Sequence, residues 1–105
     1  MSSKRRHRKP IEDALRAFCR DFTGRDDGWH VETWHHPITN NVQAAVVAPE
    51  FQTVVSRSSM VSDYLRKHLE TEHFVNLSMV KALTPEEYEE TDWAPSYPTL
   101  SLSAT

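Results

Sequence analysis

The sequence predicts an α+β fold: a three-stranded mixed sheet with helices on one face, in the order α-β-β-α-α-β-α. Three observations carry this expectation. Two segments, residues 10–23 and 58–72, repeat apolar residues at helical spacing. Three others, 28–36, 42–48 and 73–83, alternate with the period of a strand. Two strands precede the long helix and one follows it, so the third strand arrives by a crossover and is free to run parallel to a neighbour.

The first helix is read from Pro10, a residue suited to a first helical position because its missing N–H is not needed there. Ile11, Ala14, Leu15, Phe18, Cys19 and Phe22 then mark one face. Gly24 stands where a C-terminal cap belongs. "GWHVETWHH", residues 28–36, is the first strand, with Trp29, Val31 and Thr33 on one face and His30, Glu32 and Trp34 on the other. "PITNN" is turn chemistry, and "VQAAVVA", Val42 to Ala48, is the second strand of an antiparallel hairpin.

Pro49 ends that strand, and "EFQTVVSR" reads as a short helical turn. "SSMVSDYLRKHLETE" is the long helix, with Met60, Val61, Tyr64, Leu65, His68 and Leu69 as its stripe and Ser58 or Ser59 as the cap. "HFVNLSMVKAL", His73 to Leu83, is the third strand. In "TPEE", Thr84 takes the N-cap, Pro85 the first helical position and Glu87 the third position of a capping box, opening a short last helix. Residues 1–8 are expected as a disordered basic tail, 9–92 as one domain and 93–105 as a flexible tail.

The 105 residues suffice for one domain, and the apolar fraction of 38% for one compact core. Two glycines are too few for the tight reversals of a sandwich. A single cysteine, Cys19, excludes an internal disulfide and a four-thiolate zinc site, and fits a reducing compartment. Its place on the apolar face marks it as core rather than a reactive thiol. No apolar run approaches the roughly 20 residues of a membrane span, and no apolar segment follows the basic N-terminus as in a secretory signal. A cytoplasmic protein without a membrane partner is expected.

The net charge of -3 hides an asymmetry. Lys4, Arg5, Arg6, Arg8 and Lys9 crowd into the first ten residues, which hold no acid, so the remaining body is strongly acidic. Such an arm is either a solvated tail or a contact for a polyanion.

With the elements in place, the chain resembles the BolA-like family over about Pro10 to Tyr88. The order of elements matches that family's KH-related fold. "VVAPEF" resembles its second strand with the turn and aromatic that follow, and "LSMVKALTPEEY" resembles its closing strand with the capped helix. The resemblance implies a regulatory or adaptor protein, and in some members an iron–sulfur cluster shared with a monothiol glutaredoxin. Two departures bear on that role. The family's Arg-His-Arg at the start of the long helix appears here as Arg57-Ser58-Ser59. The histidine ligand expected on the third strand falls on Asn76, a poor iron ligand. His35 and His36 occupy the loop that supplies the family's other ligand, and His73 lies three residues from Asn76.

The metal candidates are therefore His35, His36 and His73, with His30 nearby; imidazole suits zinc, iron or copper. No HExxH pair, P-loop, G-x-S-x-G or C-x-x-C is present, so an enzyme is not expected. A KH-type GXXG loop is also missing. An uncovered sheet face would carry one of Trp29 or Trp34, and either Phe74 and Val80 or Val75 and Met79; Trp29, Trp34, Arg57 and Phe74 are the candidate interaction residues. The expected function is a small non-enzymatic adaptor binding another protein, without a cofactor of its own. A nucleic-acid-binding regulator using the basic arm is the alternative. An iron–sulfur or metal-handling partner of a glutaredoxin is third.

Overall fold

The structure, a computed structural model, describes residues 5–90; Lys4 and the expected tail at 93–105 lie outside them. Helix α1 (Arg5–Thr23) is followed by strands β1 (His30–His35) and β2 (Val42–Val47), a 3-10 turn (Pro49–Thr53), helices α2 (Arg57–His68) and α3 (Thr71–Phe74), strand β3 (Leu77–Leu83) and helix α4 (Pro85–Glu90). The expected order α-β-β-α-α-β-α is present.

The sheet order is β1-β2-β3. β1 and β2 are antiparallel, and the crossover through α2 brings β3 parallel to β2. A register shift between Val42 and Gln43 leaves Ser78 without a partner in the ladder. Central β2 is buried along its whole length. One face of the sheet carries the rows Val31–Val46–Ala82 and Thr33–Ala44–Val80. Ile11, Leu15 and Phe18 of α1 and Val61 and Leu65 of α2 close over this side. Phe51 of the 3-10 turn is fully buried and stacks on Phe22 at 5.0 Å. Burying a phenylalanine of this kind is worth about 1.5–3 kcal/mol.

Three local expectations need correction. Helix α1 begins at Arg5, not Pro10, so Pro10 lies inside it and most of the basic stretch forms its first turns. The helix holds there because the apolar stripe extends back one turn: His7, four residues before Ile11, is buried at 8% exposure. The segment expected to start the third strand instead winds into α3, and β3 begins only at Leu77. Phe74 and His73 are therefore helical. Finally, α2 has Ser56 at its N-cap with no side-chain cap bond, while Ser58 Oγ donates to the Val80 carbonyl of β3.

Other signals are realised as read. Gly24 has φ 73° and its N–H reaches the Arg20 carbonyl at 2.8 Å, ending α1. The Thr84 backbone N–H donates to Glu87 Oε1 at 2.9 Å, and the Glu87 N–H to Thr84 Oγ1 at 3.2 Å, the reciprocal capping box. Tyr88 then reaches back to β1, donating to Glu32 Oε1 at 3.1 Å.

Candidate functional site

Two places on the molecule combine chemistry-bearing side chains: the sheet face opposite α1 and α2, and a histidine pair between α1 and α3.

Strand alternation turns Trp34, Gln43 and Met79 to the sheet face away from the core, where the register sets them in one row across the three strands. Glu32, Ala45 and Lys81 form the next row, and His30, Val47 and Leu83 the third. Trp34 Nε1 donates to Gln43 Oε1 at 2.8 Å, so the indole lies along its strand neighbour and the nearly buried Gln43 amide is satisfied. Trp34 and Met79 remain half-buried. Tyr88 of α4 covers one end of this face, packing on the His30 ring at 5.7 Å.

Both outer edges of the sheet are blunted by side chains. On the β1 side, Arg8 donates from Nε to Thr33 Oγ1 at 2.8 Å and from Nη2 to the Thr33 carbonyl at 2.9 Å. On the β3 side, Arg57 Nη1 reaches the Ala82 carbonyl at 3.3 Å, beside Ser58 on Val80. Side chains seated on edge carbonyls oppose the addition of another strand.

The histidine pair is formed by His7 and His73, whose Nδ1 atoms are 2.9 Å apart with the rings edge to face. One Nδ1–H donates and the other nitrogen accepts. His73 Nε2 faces Glu72 Oε2 at 3.7 Å and Glu70 Oε1 at 4.0 Å. One nitrogen from each ring and a carboxylate oxygen of Glu72 lie within 4.8 Å of one another. Among the described residues, this is the group that meets the spacing of a metal centre. His7 and Glu72 were not singled out from the sequence. The signal for His7 was its position on the α1 stripe; Glu72 carried none, because only the turn of α3 brings it to the histidines.

The remaining candidates divide. His35 ends β1 and borders a hollow with Arg8, Lys9 and Glu12, while His36 Nδ1 accepts the N–H of Ile38 at 3.1 Å and shapes the hairpin turn. Neither belongs to the group formed by His7, Glu72 and His73. Asn76 donates to the Glu72 carbonyl at 3.1 Å and joins α3 to β3. His68, on the expected apolar stripe of the long helix, is exposed, its ring tilted against Tyr64 at 4.2 Å.

Trp29 does not share the sheet face. It packs against the core, donates from Nε1 to the Arg25 carbonyl at 2.9 Å and carries the Arg20 guanidinium over its ring. Arg25 pairs with Glu50 across the loop, which holds the Glu50 carboxyl below its ordinary range. Arg57 holds α2 to α4, and Phe74 packs on the core beneath the Arg66 guanidinium. Of the basic candidates, Arg8 is committed to Thr33, and Lys9 pairs with Asp13 at 3.0 Å. Arg5 and Arg6 lie in the first turn of α1.

The fold and these features define a small α+β domain with a mixed three-stranded sheet, one face packed by helices and the other fringed by aromatics. No helix among the described residues is long and apolar enough to cross a membrane. No protein-family model, curated protein or solved structure matches the chain.

Proposed function

We propose that the protein is a small, non-enzymatic adaptor of BolA-like type that binds another protein through the sheet face bearing Trp34 and Met79. The observation that carries this reading is the row Trp34–Gln43–Met79 on a face that α1 and α2 leave uncovered. Tryptophan and methionine are residue types enriched at interfaces, and charged Glu32 and Lys81 flank them in the neighbouring row. The acidic Glu32 beside Trp34 argues against a phosphate-binding face. Placement of Asn76 in a structural junction supports a role in which the family's cluster function has been lost or altered.

The test is site-specific photo-crosslinking in the native cell. A photoreactive residue at Lys81 should trap a defined protein, and the same residue at Lys67, exposed on α2, should not. The trapped partner should bind the purified protein with an affinity that Met79→Ala lowers. Equal trapping from both positions, or trapping of RNA alone, would remove this reading.

A further inference from the structure

We propose that His7, His73 and Glu72 bind a divalent transition-metal ion of the zinc class, joining the first turn of α1 to α3. The donors are two imidazole nitrogens and one carboxylate oxygen, all within 4.8 Å of one another. This donor set suits zinc and its first-row neighbours. Calcium and magnesium require oxygen shells, and the set holds no thiolate to favour copper(I) or an iron–sulfur cluster.

The two Nδ1 atoms stand 2.9 Å apart. Two nitrogens bound at about 2.05 Å to a tetrahedral zinc ion are separated by about 3.3 Å, so a small rotation of either ring opens the required gap. Glu72 Oε2 and Glu70 Oε1 both lie on the Nε2 side of His73, at 3.7 and 4.0 Å, so the exposed Glu72 side chain must turn toward the Nδ1 atoms to ligate, leaving Glu70 as the carboxylate nearest the N–H that the ring keeps. Burial divides the site usefully. His7 is almost fully enclosed, while the side chains of Glu72 and Glu70 are 52% and 81% exposed, so an ion has an entry path. Both imidazoles ligate in the neutral form, so the ring that donates its Nδ1–H within the pair carries that proton on Nε2 once the ion is bound. The fourth position is left to water.

The site belongs to the helical side of the sheet and does not depend on the protein-binding face. Its consequence is mechanical: the ion would pin the first turn of α1 to the end of the α2–α3 segment.

The experiment uses full-length, tag-free protein stripped with a chelator. Zinc(II) is titrated in competition with a chromophoric chelator, and melting curves are recorded with and without it. One equivalent should bind and raise Tm, while magnesium should leave Tm unchanged. His7→Gln and His73→Gln should each weaken zinc binding by at least about 100-fold and abolish the rise, since even an outer-shell partner is worth about 10–100-fold. If either histidine variant fails to fold by circular dichroism, exposed Glu72→Gln decides, with an expected loss of about 10-fold or more. The combined variant His30→Gln/His35→Gln/His36→Gln should keep the site. Zinc binding that survives Glu72→Gln and both histidine changes, or that disappears with His30, His35 and His36, would overturn the proposal, as would an unchanged wild-type Tm.

Discussion

Arg57 Nη1 donates to Glu87 Oε1 at 2.6 Å, and through that carboxylate the first residue of α2 meets the capping box of α4. The same guanidinium reaches the Val54 and Ala82 carbonyls. One side chain thereby fixes the start of α2, the end of β3 and the start of α4. This relationship gives Arg57, named above among the candidate interaction residues, a structural task.

Thr84 is buried, and its hydroxyl receives the Glu87 N–H. Thr84→Ala is expected to cost about 1 kcal/mol, the usual scale of a lost N-cap. The urea midpoint should fall with little change in slope; an unmoved midpoint would show that the cap contributes nothing.

Glu87 gives this corner a pH dependence. Hydrogen bonding from Arg57, and next from the Thr84 backbone, holds its carboxyl below the ordinary range. A carboxylate with a depressed folded pKa stabilises fully above its unfolded pKa, and that stabilisation is lost as pH falls through the depressed value. Glu87→Gln should therefore lower stability near neutrality and flatten its decline in acid. Urea titrations at several pH values read this directly, and parallel acid limbs for the two proteins would contradict it.

Cys19 should be chemically silent in the native protein. The side chain is fully buried, and desolvation pushes its thiol up to about 12, against a lowering influence from Arg16 and Arg20. Almost no thiolate exists at neutral pH. A thiol reagent should label it only as fast as the protein opens, with complete labelling in denaturant. Rapid labelling in buffer would place the residue outside the core.

Removal of residues 1–8 should destabilise the fold, in contrast to what a disordered tail would do. The deletion takes away buried His7 and the Arg8 hydrogen bonds to Thr33. A loss on the order of 1–2 kcal/mol is expected from such contacts. An unchanged melting temperature would show that the first turns of α1 contribute nothing to stability.

The fold class, the order of elements, the αL cap at Gly24 and the Thr84–Glu87 box were legible in the chain alone. These are local or periodic signals: a glycine that tolerates positive φ, a hydroxyl three residues from a glutamate, and apolar residues at spacings of a helix or a strand. The sequence also named His73 among the metal candidates and Trp34 among the surface aromatics. Which of these residues meet was set by packing. His7 carried the composition of a tail, yet packing of α1 against α3 buries it beside His73. Alternation put Trp29 and Trp34 on opposite faces of the first strand, and only the packing of α1 and α2 decides that the Trp29 side is the core side and the Trp34 side the open one. His73 to Asn76 alternate well enough for a strand, but the chain leaving α2 winds once more before β3 can reach its parallel register beside β2. Pairings across 66 residues, such as His7 with His73, leave no periodic trace in the chain, because they are set by how completed elements pack rather than by any local preference.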